Sequence, residues 1–118
     1  PRQQRLPTMI SPTLVMGKKG VELVLGSGGS NRLRSAICQV ILNFFVKNMD
    51  IDSAVHAARI HLEGNVLHFE PGALLETLPD NIQLHSWNEK NLFFGGVNAV
   101  TPFDAVGDPR RGGFGMIC

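Results

Sequence analysis

The spacing of apolar and polar positions changes several times along the chain, and each change marks an element. Residues 13–16 and 21–25 are short runs of β-formers separated by Gly17-Lys18-Lys19-Gly20, the pattern of a hairpin with a four-residue loop. Beyond residue 33 the period becomes helical. Ser35, Gln39, Asn43 and Lys47 fall four apart on one narrow stripe, and Leu33, Ala36, Ile37, Val40, Ile41, Leu42, Phe44, Phe45 and Val46 fill the remaining circumference. A surface helix needs an apolar face of only about 100°, so this one is expected at the centre of a layered structure, buried on most sides. Ser30 or Asn31 is placed to cap it.

Asp50 or Asp52 opens a second, alanine-rich helix over residues 53–59. Residues 66–70 alternate as a strand, Pro71-Gly72 turns the chain into a short helix over 73–78, and Pro79-Asp80-Asn81 ends it. Strands follow over 82–87 and 93–100, the latter containing Gly95-Gly96, where missing side chains point to a close backbone approach or a bulge. The order β-β-α-α-β-α-β-β, with hairpins at both ends, predicts an α+β fold of mostly antiparallel sheet with a buried central helix.

A length of 118 residues fits a single domain spanning 1–118, and 43% apolar with 18% charged residues is the balance of a folded chain. The formal charge of +1, with arginines in loose pairs at Arg2/Arg5, Arg32/Arg34 and Arg110/Arg111, argues against a nucleic-acid partner. Cys38 lies in the most apolar part of the helix and reads as a small core residue; with Cys118 it makes no metal-ligand spacing. The opening PRQQRLPTMISPT is irregular through Ser11 and reads as a loop entered midway in a longer protein.

The chemistry concentrates where strand hands over to helix, at Gly26-Ser27-Gly28-Gly29-Ser30-Asn31. Consecutive small residues there expose backbone N–H groups at the positive end of a helix, a setting for a carboxylate, a phosphate or a developing oxyanion. A dinucleotide fingerprint fails, because Asn31 stands where the third glycine belongs; no Gly-Lys-Ser/Thr follows for a P-loop. A glycine turn needed only for tight strand-to-helix packing is the structural alternative. His56, His61, His68 and His85 have no ligand spacing, and Trp87 with Phe93-Phe94 reads as core. Arg110 and Arg111, beside Asp108-Pro109 and two glycines, are either solvated charges or clamps pairing bidentately across a loop. Ser11, Thr8 and Ser27 each lack the setting of a nucleophile.

Taken in order, Ser11-Pro12-Thr13, Leu25 to Arg32, Gln39-Val40-Ile41, Ala54-Val55, Ala58-Arg59-Ile60-His61, Glu70-Pro71-Gly72, Phe93 to Val97 and Asp108 to Arg111 resemble the C-terminal part of the small catalytic subunit of γ-glutamyltransferases (γ-glutamyltranspeptidases, glutathione hydrolases). The resemblance implies an N-terminal-nucleophile hydrolase, a four-layer αββα sandwich cut autocatalytically into large and small subunits. It implies γ-glutamyl transfer or hydrolysis on glutathione-type substrates through an acyl-enzyme, without cofactor. The nucleophilic threonine lies upstream, so the partners are the large subunit and the N-terminal piece of the small subunit, and this segment alone is expected to be inactive. The family's oxyanion-hole glycine pair falls within Gly28, Gly29 and Ser30, as Gly29-Ser30 without gaps or Gly28-Gly29 after a shift of one. Its paired serines, which hold the substrate carboxylate, align with Thr8 and Met9; the methionine cannot donate a hydrogen bond. That departure keeps open a related amidase with another acyl specificity, beside a non-catalytic scaffold that retains only the fold.

Overall fold

The computed structural model describes residues 4–5 and 8–118; the reading of Pro1–Gln3, Leu6 and Pro7 as irregular lies outside the described residues. Strands β1 (Thr13–Gly17) and β2 (Gly20–Gly28) form the expected hairpin, but its loop is only Lys18 and Lys19, because Gly17 and Gly20 pair with each other. A register shift between Val15 and Met16 bulges the ladder. β2 continues three residues beyond the predicted Leu25, through Gly28, by pairing with β6 (Gly96–Val100). Much of the expected glycine turn is therefore strand, and the handover to helix is compressed into residues 29–32.

Helix α1 (Leu33–Ile41) follows, and its last turns widen into a π-helix, Leu42–Val46, where the N–H of Lys47 reaches the carbonyl of Leu42 at 3.1 Å. The N-cap is Arg32, with no side-chain cap bond, so neither Ser30 nor Asn31 caps the helix as the sequence predicted. Asp50 does cap α2 (Ile51–His56), its carboxylate accepting from Ser53 N–H at 2.8 Å; this helix stops three residues short of the predicted Arg59.

Leu33, Ala36, Ile37 and Val40 of α1 are buried. Ala36, Ile37 and Val40 join Leu23, Leu25, Val97 and Ala99 of the sheet and Ile51, Ala54 and Val55 of α2 in one core. The sheet order is β1-β2-β6-β7, with β7 at Ala105–Val106, and every neighbouring pair is antiparallel. Leu23, Leu25, Val97 and Ala99 point to the helices, while Leu14, Val24 and Val100 face away and are exposed. Cys38 is exposed on α1, not a core residue: the buried face at 33, 36, 37 and 40 leaves 34, 38 and Leu42 on the open side.

A second sheet, β3-β4-β5, comprises Ile60–Glu63, Val66–Phe69 and Gln83–Ser86. β3 and β4 are an antiparallel hairpin through Gly64-Asn65, and β5 pairs parallel to β4. The predicted helix over 73–78 is absent. Prolines bracket it, and six residues with Leu74 and Glu76 exposed bury too little to offset the cost of nucleation. Predicted strand 93–100 begins as a 3₁₀ turn, Leu92–Phe94, before β6.

Candidate active site

Gly29 and Ser30 follow the last residue of β2 and precede the first turn of α1. Among the described residues, no acceptor takes the N–H of either one. Gly29 has φ +144°, a conformation that an L side chain rarely adopts. The first turn of α1 carries no acidic residue to compete for this positive end. Two amide donors therefore stand side by side at the end of a strand, held by a helix whose opposite face is locked in the core.

The loop is supported from beneath by the second glycine pair. Ser27 Oγ donates to the carbonyl of Gly28 at 3.1 Å and accepts from Gly96 N–H at 3.2 Å. Gly95 has φ +80°, and a Cβ there would lie 2.9 Å from Ser27 Oγ and 3.3 Å from Ala36 Cβ. The close backbone approach expected of Gly95-Gly96 is thus observed, and its object is the glycine loop. Gly28 stands opposite Gly96 in the ladder.

The residues predicted to hold a carboxylate lie beside this loop. Thr8 and Met9 are exposed, and with Ile10, Ser11, Ser30, Asn31, Leu33 and Arg34 they line a groove of about 290 Å³. Ser30 Oγ donates to Met9 Sδ at 3.3 Å. Thr8 Oγ1 accepts from Ile10 N–H at 3.1 Å, which leaves its own O–H hydrogen to donate. Thr8, Met9 and Ser30 are thus gathered at one groove, and Gly28 and Gly29 run into it through the chain. Arg34, a cation on this wall, carries no distinguishing sequence signal beyond its place in the first turn of the helix.

A buried ionic network anchors the second glycine pair. Arg110 pairs with Glu70 through both arms, Nε to Oε1 at 2.7 Å and Nη2 to Oε2, and reaches Asp108 Oδ1 at 3.3 Å. Arg59 Nη2 meets Asp108 Oδ2 at 2.6 Å and its Nη1 donates to the carbonyl of Phe94 at 3.2 Å. Asp108 Oδ2 also accepts from Val97 N–H at 2.8 Å, so the network grips both sides of Gly95-Gly96. Asp108 and Glu70 are fully buried. Burial pushes the Asp108 carboxyl up, but Arg59, the amides of Arg110 and Val97, and Arg110's charge together hold it below the ordinary value. Burial pulls Arg110 down, and Glu70 and Asp108 more than restore it, raising its affinity for the proton. Burial followed by repulsion from Arg110 lowers Arg59. The clamp reading holds for Arg110; Arg111 is exposed. Glu70 and Arg59 were visible only as members of the motifs Glu70-Pro71-Gly72 and Ala58-Arg59, with nothing in their spacing to join them.

His61, His68 and His85 stand in one row across β3, β4 and β5, and His56 lies apart on α2. His61 Nδ1 lies 2.8 Å from Ser35 Oγ, and burial lowers its pKa. Trp87 Nε1 donates to His68 Nδ1 at 3.4 Å, and burial, then the neighbouring His85, lowers His68. Trp87 and Phe93 stack at 4.8 Å and stay half-buried, a satellite cluster outside the main core.

The family model described as Gamma-glutamyltranspeptidase matches residues 1–118. The glutathione hydrolase 5 proenzyme of Mus musculus is 29% identical over 103 residues, which cover 82% of this chain and 18% of that protein. The glutathione hydrolase proenzyme of Pseudomonas aeruginosa is 24% identical over an alignment of 129 residues covering 97% of this chain and 22% of its own length. A solved γ-glutamyltranspeptidase from Pseudomonas nitroreducens, complexed with L-DON, superposes with a TM-score of 0.74 at 26% identity, covering all of this chain and 66% of the other. The chain thus spans about a fifth of the curated relatives it matches. With the whole of its length matched by one family model and its fold shared with a solved member, the chain belongs to the γ-glutamyltranspeptidase family.

Proposed function

We propose that this segment supplies the oxyanion-binding loop and one wall of the acyl pocket of an enzyme that transfers or hydrolyses γ-glutamyl groups. The observation that carries it is the pair of amides at Gly29 and Ser30, unengaged among the described residues, beside the Thr8–Ser11 groove, in a chain matched throughout by the family. Of the two registers open to the sequence, the geometry favours Gly29-Ser30, because Gly28 is the last rung of the β2–β6 ladder. The segment then forms the C-terminal part of a small subunit, and a threonine from elsewhere in the same precursor is the nucleophile. The relatives' description as proenzymes is consistent with such a precursor.

The threonine oxygen attacks the γ-glutamyl carbonyl carbon, and the carbonyl oxygen becomes an oxyanion between the two amides. Collapse re-forms the carbonyl, expels the amine, which takes up a proton, and leaves an ester on the threonine. Water then gives glutamate, or an acceptor amine gives a new γ-glutamyl amide. Amides fixed before the reaction stabilise the developing charge without reorganisation; one such donor is worth roughly 3 kcal/mol. Thr8 and Arg34 suit the substrate's carboxylate, by a hydroxyl hydrogen and a positive charge. Met9 offers only a sulfur acceptor, already taken by Ser30, so carboxylate recognition here rests on different groups from a pair of serines. This is the one feature favouring a different acyl group as the natural substrate. Comparing a γ-glutamyl amide with its des-carboxy analogue separates the two readings: strong preference for the carboxylate supports γ-glutamyl chemistry, and indifference supports another acyl group.

Substitution at Ser30 tests the loop, because only its backbone is used. In the precursor carrying this segment, Ser30→Ala keeps turnover of a γ-glutamyl anilide within a few-fold, whereas Ser30→Pro, which removes the N–H, lowers kcat by about 10²–10³. Equal activity of the two variants contradicts the assignment.

A further inference from the structure

Both ends of the Gly29–Ser30 loop are pinned to one short stretch of chain. At the near end Gly28 pairs with Gly96 in the β2–β6 ladder. At the far end Arg32, the N-cap of α1, sends its side chain back to Phe93. Its Nε donates to the carbonyl of Phe93 at 3.0 Å, and the guanidinium carbon stands 4.1 Å from the centre of the Phe93 ring. A hydrogen bond and a cation–π contact from one side chain thus close a bracket, residues 28–32 against residues 93–96, with the two amides inside it. Among the described residues, the other side-chain tie from the loop is Ser30 Oγ to the exposed Met9.

The Phe93 ring in turn rests on the histidine row. Centre to centre, His68 lies 4.7 Å from it, Trp87 4.8 Å and His61 6.1 Å, and His85 lies 5.0 Å from His68. His61 stands opposite His68 in the β3–β4 ladder, and His68 opposite His85 in β4–β5. Among the described residues, the charged groups that face this row are Glu63 on β3 and Arg32 and Arg34 at the start of α1. Glu63, with Oε1 3.9 Å from Arg32 Nη1, is the one carboxylate among them. Burial lowers the pKa of both His61 and His68, so at neutral pH they are uncharged and Arg32 is the cation on Phe93. A proton on His68 sets a second cation against the same ring, and like charges then oppose each other across the strands as its neighbours follow.

We propose that Arg32 is a positioning residue that holds the Gly29–Ser30 amides through Phe93, and that protonation of the histidine row loosens this hold in acid. The inference rests on the acyl-transfer reading above and gives that site a pH control separate from its nucleophile. Arg32 touches no reacting atom; it acts through the loop it brackets.

The test measures kcat and KM for a γ-glutamyl anilide with the full precursor, at about pH 8 and about pH 5, on either side of the ordinary histidine range. Arg32→Gln should lower kcat at the higher pH by about tenfold or more at unchanged KM, the scale on which a displacement of about 1 Å acts. Arg32→Lys keeps the cation and loses the planar donor, so it should recover part of kcat; it carries the comparison if Arg32→Gln does not fold, which thermal unfolding decides. His68→Gln should match wild type within about twofold at the higher pH and exceed it by about fivefold at the lower, the order of one exposed cation–π contact. In the Arg32→Gln background that gain at low pH should vanish. An unchanged kcat in the Arg32 variants overturns the proposal, as does a gain from His68→Gln that is absent, or that is equal with and without Arg32. A wild type that does not turn over the anilide at the higher pH contradicts the acyl-transfer reading itself, and the proposal falls with it.

Discussion

At the scale of single residues, conformation and charge make separate demands. Gly95 combines φ +80° with contacts to Ser27 and Ala36 that a Cβ would violate. Gly95→Ala is therefore expected to lower the unfolding free energy by roughly 1–3 kcal/mol and to displace the loop above it. Thermal unfolding and kcat in the precursor check this, and an unchanged pair of values would show that the glycine pair does not support the loop. Asp108 makes a pH demand. Its carboxyl titrates below the ordinary 3.8 in the fold, so between the two values the unfolded chain binds more protons. Its contribution is complete above about pH 4 and disappears as the pH falls through the folded value. His61 and His68, also lowered, add acid sensitivity of the same sign starting near pH 6.5, because each is kept neutral in the fold. Urea melts from pH 7 to pH 3 should show stability falling in two stages, and His61→Gln together with His68→Gln should flatten the upper one.

At the scale of elements, the fold was legible where period and turn chemistry agreed. The β1–β2 hairpin, α1 and the Asp50 cap followed from alternation, helical spacing and a capping acid. The sequence hid what depended on partners. β2 runs on to Gly28 because β6 pairs with it, which no local property of glycine announces. β3 escaped notice because Ile60 to Glu63, just past the helix expected over 53–59, was assigned to no element; the Gly64-Asn65 step between two alternating runs was its signal. The helix over 73–78 was read between Pro71-Gly72 and Pro79, but with Leu74, Glu76 and Thr77 exposed it buries too little to hold. Arg59, Glu70 and the Asp108–Arg110 pair come together from three separate stretches, and only the fold joins them. Breaking such a buried set leaves an uncompensated charge, so Glu70→Gln or Arg110→Met should each cost about 3–5 kcal/mol. Urea unfolding of the single and double variants measures this. Because the residues act as one unit, the double variant should cost less than the sum of the singles.

At the scale of the whole molecule, the sheet has two unlike faces. One is sealed by α1 and α2; the other presents Leu14, Met16, Val24 and Val100 to solvent. An apolar face of this kind on a chain that spans about a fifth of its relatives is the surface that the account expects the rest of the precursor to cover. The isolated segment should accordingly self-associate, or bind a hydrophobic dye, more strongly than the precursor does. The same division governs the chemistry. The segment holds the amides and the groove wall, and the account places the nucleophile elsewhere. The most direct measurement is turnover of a γ-glutamyl anilide by the isolated 118 residues and by the precursor, together with the intact mass of the precursor. The account predicts no turnover by the segment, and a precursor that cleaves itself before a threonine and then releases the aniline. Turnover by the segment alone, or a precursor that stays uncleaved and inactive, would contradict it.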